Sequence, residues 1–234
     1  MKKFRVTDKG TQFEKIIGRD ILNAWDNDVT LEGIKRQKKR LSRRIFLGQS
    51  LGLIAATAIP TFVSAKVNKL PTELTQPWLT LAEVQNHLFP RTGDINNQKS
   101  DKFSPGAKDI NAIAYLLAML EAPDSDQAER KFIMKGVGWL DGVANSLEKS
   151  AFIKLNKIQR ERVLKKISES DAGETWISTL LRYIFEALLT DPVYGGNTNR
   201  MGWAWLEHQP GFPRPPENKK YWMLSKSVSN RSSK

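Results

Sequence analysis

The stretch Glu174-Thr175-Trp176-Ile177-Ser178-Thr179-Leu180-Leu181-Arg182-Tyr183-Ile184-Phe185-Glu186-Ala187-Leu188-Leu189-Thr190 decides the fold class. Ile177, Leu180, Leu181, Ile184 and Leu188 recur at three- and four-residue intervals, which gathers them along one side of an α-helix. Asp191-Pro192 ends this helix, because proline lacks the amide donor and disfavours helical backbone in the residue before it.

Working outward, the same period recurs. Lys157 to Ser168 carries Ile158, Val163, Leu164 and Ile167, and Asp126–Leu147 carries Ala128, Phe132, Gly136, Trp139, Leu140, Val143 and Leu147. Gly136, Gly138 and Gly142 in the latter predict a kink or a close helix contact. Further upstream, Ser104-Pro105-Gly106 reads as a helix start, with Ser as cap and Pro at the first helical position. Its face is Ile110, Ile113, Ala114, Leu117 and Leu120, and Pro123 ends it. Thr80-Leu81-Ala82-Glu83 has the form of a capping box ahead of Leu81, Val84 and Leu88, with Pro90 as the stop. No stretch alternates with period two for long enough to be a strand. The predicted fold is all-α: an irregular bundle of about five helices with long loops and an extended, Pro-rich C-terminal tail. Pro210, Pro213, Pro215 and Pro216 keep that tail extended, and residues 217–234 are expected to be disordered.

Residues 66–234 have the size of one domain, assigned to 66–216. Of the 234 residues, 37 are Lys or Arg and 25 are Asp or Glu, a net charge of +12. The excess is uneven, with +7 in residues 1–44 and +5 from residue 66 onward. Nucleic-acid binding would want basic and stacking aromatic residues interleaved on one face. Here the basic cluster adjoins an apolar run instead, so no nucleic-acid partner is expected.

Residues 42–65 have the layout of an export signal. Ser42-Arg43-Arg44-Ile45-Phe46-Leu47 is followed by a short apolar stretch ending at Pro60, then by Val63-Ser64-Ala65, a small-residue cleavage pattern at Val63 and Ala65. The segment resembles a twin-arginine signal, carried by Ser42, Arg43, Arg44, Phe46 and Leu47. Paired guanidiniums suit acidic recognition sites because each presents a planar fork of donors. Leu51–Ile59 is too short to span a bilayer as a helix. A buried core helix, or a signal kept as an anchor, are the alternatives. Residues 1–41 form a basic N-terminal extension in which Leu22, Trp25, Val29, Leu31 and Ile34 make a weak helical stripe. It is either a genuine cytoplasmic extension or the product of a start codon placed too early.

Reactive groups are sparse. With no cysteine, thiolate chemistry, iron–sulfur clusters and covalent c-type haem are excluded. The two histidines, His87 and His208, have no ligand-spaced companions, so no metal site is expected. Gly136-Val137-Gly138 fails as a dinucleotide loop, since no strand precedes it and residue 141 is Asp. No catalytic residue is assigned. Trp139 and Trp176 lie in helical stripes and are expected in the core. Trp203 and Trp205, two apart beside Gly and Asn, either cap the bundle or anchor a partner.

Leu88-Phe89-Pro90, Pro105-Gly106-Ala107, Gln159-Arg160, Asp191-Pro192-Val193-Tyr194-Gly195-Gly196-Asn197, Gly202-Trp203-Ala204-Trp205-Leu206 and Pro210-Gly211 together resemble one family. It is the gluconate 2-dehydrogenase subunit 3 family, the small gamma subunit of periplasmic flavin-dependent sugar and sugar-acid dehydrogenases. The resemblance runs from about residue 78 to 216. It implies a non-catalytic chain without its own cofactor, bound to a large glucose–methanol–choline-type flavoprotein that carries FAD, with a c-type cytochrome as a further subunit. It also implies passage to the periplasm through the twin-arginine translocase, with or without association with the inner membrane. Asp191, Pro192, Tyr194, Gly195, Gly196, Asn197, Trp203 and Trp205 are the partner-binding residues that follow from it. The alternatives are an independent periplasmic helical enzyme using Asp191, Tyr194 or His208, and an assembly factor without an oxidoreductase partner.

Overall fold

A computed structural model describes residues 20–27, 74–93 and 103–223. Among these, all regular structure is helical, apart from one isolated antiparallel bridge between Thr92 and Ser104. In chain order the helices are α1 (residues 20–27), α2 (Trp78–Leu88), α3 (Ala112–Glu121), α4 (Gln127–Glu148), α5 (Lys157–Ile167), α6 (Asp171–Leu189) and α7 (Met201–Trp205). Short 3-10 turns at Phe152–Lys154, Pro192–Tyr194 and Thr198–Arg200 join them.

Local chemistry explains where each helix begins. Asn156 accepts the Gln159 amide while the Gln159 side chain accepts the Asn156 amide, a reciprocal cap that opens α5. Asp126 takes the Ala128 and Glu129 amides at the start of α4, and Ser170 takes the Gly173 amide at the start of α6. The Ser170 cap sets the start of α6 at Asp171, three residues before the periodic pattern becomes visible.

Two expected starts are corrected. The helix predicted from Ser104 begins at Ala112, because Asn111 takes a left-handed conformation (φ 54°) and Asp109 is occupied elsewhere. Ser104 instead pairs with Thr92. The Thr80/Glu83 capping box does not form either. α2 starts three residues earlier, at Trp78, Thr80 donates to the Gln76 side chain, and Glu83 binds Arg160 across to α5.

α6 is the central strut. α3 packs along it, α4 and α2 also lie against it, and α5 packs on α4. Its buried side is wider than the sequence pattern indicates: Trp176, Thr179, Tyr183 and Ala187 join Leu180, Ile184 and Leu188, while Ile177 and Leu181 are half-buried. α4 runs unbroken through its glycines. Gly136 serves a close helix contact rather than a kink, since a Cβ there would fall 2.0 Å from Trp176 Nε1. That indole nitrogen donates to the Ile133 carbonyl at 3.0 Å, tying α6 to α4 inside the core. Ala128, placed on the α4 stripe by spacing, is exposed.

The upstream extension contributes to the core. Within α1, Leu22 and Trp25 are buried, Trp25 completely. At the other end of the described residues, Tyr221 and Trp222 pack on Tyr194. No described helix is long and apolar enough to cross a membrane.

Candidate partner-binding surface

The block Asp191–Leu206 folds back over the C-terminal end of α6. Its glycines permit this. A Cβ at Gly202 would lie 2.2 Å from the Leu188 carbonyl oxygen, and one at Gly196 would lie 2.8 Å from that of Ala187. Gly195 adopts φ +96°, a conformation that favours glycine. Asn197, fully buried with φ 48°, donates from Nδ2 to the Thr190 carbonyl and accepts the Gly202 amide on Oδ1. One side chain thereby pins the start of α7 to the end of α6.

Trp203 is buried, and its indole donates to the Leu189 carbonyl at 2.7 Å. The Arg214 guanidinium lies over its ring at 5.4 Å from the centroid. Arg214 also forms a two-pronged pair with Asp191, at 2.7 and 3.0 Å. The Arg214 hydrogen bond holds the Asp191 carboxyl below its ordinary value, and the Val193 amide acts in the same direction against partial burial. The Pro-rich tail is therefore fastened to the domain through Asp191 and the Trp203 face. Pro192 opens the 3-10 turn that brings Tyr194 to Tyr221 and Trp222, and the Tyr194 hydroxyl accepts the Tyr221 amide. The His208 ring lies tilted against that of Trp203, with centroids 5.9 Å apart.

The predicted Trp pair is thus divided. Both residues lie in the short helix α7, where Trp203 faces inward and Trp205 is 37% exposed. Beside Trp205, Leu206 is open to solvent, as are Phe185 and Leu189, which sit one turn apart on the outer side of α6. α7 packs on α6, so these residues belong to one end of the domain. Phe212 in the tail is almost wholly exposed. The spacing of α6 contained this signal, since residues 185 and 189 lie off its buried stripe.

Beneath this surface, Arg182 binds Glu186 at 2.7 Å and also Glu129 of α4. The Tyr115 hydroxyl of α3 donates to Glu186 at 3.3 Å. Burial raises the phenols of Tyr115 and Tyr183, which keeps both neutral, Tyr115 as a donor to Glu186. Burial disfavours the Arg182 charge, but Glu186 and Glu129 outweigh it and hold the guanidinium protonated. Periodicity alone could not reveal this cluster, because Glu129 carries the sequence signature of an exposed position in a first helical turn.

The remaining motif residues also fasten elements together. Phe89 accepts the Ala107 amide, a Cβ at Gly106 would stand 2.5 Å from the Arg91 amide nitrogen, and Asp109 binds Arg91 and the Gly106 amide. Gln159 reaches Glu148, and Arg160 binds Glu83 and the Ile153 carbonyl. His87 meets Glu161 at 2.8 Å. Among the described residues no group of three or more His, Asp or Glu is placed to hold a metal ion.

A family model for gluconate 2-dehydrogenase subunit 3 matches residues 75–211. The chain belongs to the gluconate 2-dehydrogenase subunit 3 family. No curated protein and no solved structure matches the chain. Membership implies a small subunit of gluconate 2-dehydrogenase complexes, which are oxidoreductases. The subunit 3 match covers α2 to α7 and the polar contacts that fold the Asp191 block onto α6. It stops short of Arg214 and leaves out α1. Ser42, Arg43, Arg44, Phe46, Leu47, Val63 and Ala65 lie outside the described residues.

Proposed function

We propose that this chain is the non-catalytic small subunit of a periplasmic FAD-dependent dehydrogenase, binding the large flavoprotein subunit and escorting it folded through the twin-arginine pathway. The family match over residues 75–211 carries the reading. In it, FAD and the substrate base belong to a large subunit of the glucose–methanol–choline type, and a c-type cytochrome receives the electrons. A flavoenzyme loaded in the cytoplasm must cross the membrane folded, because unfolding would release the flavin that the protein binds and orients. One signal then serves two chains if their interface survives transit.

The geometry supports a division of labour within the C-terminal block. Asp191, Pro192, Gly195, Gly196, Asn197 and Trp203 shape the surface, and Trp205, Leu206, Phe185 and Leu189 present it. Exposed Trp beside aliphatic and Phe side chains is the composition from which interface anchors are drawn. Tyr194 supports the same end of the domain from below Tyr221 and Trp222.

The test is co-expression with the large subunit and fractionation of the periplasm. With Arg43 and Arg44 both changed to Lys, charge is kept but the planar fork is lost. The large subunit is expected to remain in the cytoplasm, and undiminished export overturns the escort role. In the same system Trp205→Ala is expected to release the large subunit from a folded small subunit.

A further inference from the structure

α1 lies wholly outside the matched stretch 75–211, yet it fills a groove in the matched domain. Trp25 stacks parallel on Trp139 of α4, with centroids 6.2 Å apart and planes 7° apart, and meets Trp176 of α6 edge-on at 6.1 Å. Leu22, three residues earlier on the same side of the helix, is also buried. Ile21 sits over Gly142, where an added Cβ would be 3.8 Å from Ile21 Cγ2. Asp26 accepts the Ala172 amide at 2.8 Å, so a carboxylate from a remote segment caps the first turn of α6, where negative charge is favourable. Asp20, Asn23, Ala24 and Asn27 face solvent. Apolar, aromatic and acidic contacts thus all come from one side of an eight-residue helix.

We propose that the groove between α4 and α6 is a helix-docking site whose occupant is residues 20–27 of the same chain, and that this helix remains docked when the connection to the domain is cut. Ile21, Leu22, Trp25 and Asp26 form the recognition set, and Trp139, Gly142, Trp176 and the Ala172 amide form the receiving surface. Residues 42–65 lie in sequence between the docked helix and the domain, so in the folded chain before translocation a cut after Ala65 removes the covalent link and leaves only the groove contacts to hold the helix. The proposal does not depend on the identity of the large subunit.

The experiment uses the full chain with a specific protease sequence inserted after Ala65, folded first and cut afterwards. Gel filtration is expected to recover residues 1–65 with residues 66–234, and Trp25→Ala is expected to increase the released fragment at least about tenfold, in line with losing a buried aromatic anchor. Separation of the two fragments of the cut chain without that substitution overturns the proposal. Because the chain has no cysteine, a second variant tests the geometry without truncating the tryptophan. Ile21→Cys with Gly142→Cys is expected to cross-link faster than a pair placed off this contact, since Ile21 Cγ2 lies 3.8 Å from where a Cβ at residue 142 would stand. The control Asn23→Cys with Gly142→Cys is expected to stay reduced. Cross-linking of the Ile21/Gly142 pair no faster than that of the Asn23/Gly142 control also overturns it.

Discussion

Two tryptophans in this molecule make the same hydrogen bond in different settings. Trp176 donates from within the core of α6 to a carbonyl of α4, over a glycine notch that leaves no room for a methyl group. Trp203 donates from α7 to the last turn of α6, but its outer face lies under Arg214 rather than under another helix. The first contact is surrounded by apolar packing. The second depends on an ion pair, a buried Asn and glycine-to-carbonyl approaches, which hold a segment of 3-10 turns and one five-residue helix. Where the chain is regular, apolar area is enough to position it; where it is not, polar clamps specify its path.

Substitutions can break that contrast. The largest effect is expected from Trp176→Ala, with a loss of about 3–5 kcal/mol in urea unfolding, the range for a fully buried aromatic. Trp203→Ala should cost less, because its ring is flanked by the Arg214 and His208 side chains rather than enclosed between two helices; equal costs would erase the distinction. Next, Gly202→Ala forces a Cβ against the Leu188 carbonyl and is expected to destabilise by about 1–3 kcal/mol, as overpacking does, with loss of α7 helicity read by hydrogen exchange.

A smaller effect is expected for Asp191→Asn, and its dependence on pH identifies the clamp. The Asp191 carboxyl titrates below its unfolded value, so its contribution is complete above the ordinary Asp pKa and fades as pH falls through the lowered folded one. The melting temperature should therefore separate wild type from Asp191→Asn at neutral pH and converge in strong acid. A constant gap would mean that the Asp191–Arg214 pair does not operate. The smallest effect on stability belongs to Trp205→Ala, within about 0.5 kcal/mol as for other exposed positions, while affinity for the large subunit should fall measurably.

Much of the fold was legible because α4, α5 and α6 carry long periodic stripes and near-local caps. The start of α3 was not, since Asn111 adopts a left-handed conformation only in the company of the Arg91–Asp109 pair and the Thr92–Ser104 bridge. Thr80 and Glu83 have capping-box spacing, but Glu83 is taken up by Arg160, 77 residues away, instead of its own backbone. The motif residues of the C-terminal block could be picked out, whereas the separation of Trp203 from Trp205 required knowing which side of α7 meets α6.

By itself the sequence determined the all-helical class, the approximate boundaries of α4, α5 and α6 and the likeness to subunit 3 chains, because spacing, caps and short motifs act over a few residues. Tertiary structure alone decided that Glu129 is buried beside Arg182, that Arg214 fastens the tail and that Trp25 enters the core from far upstream. Each of those contacts joins residues distant in the chain, and its free energy depends on how the helices are placed, which no local pattern encodes.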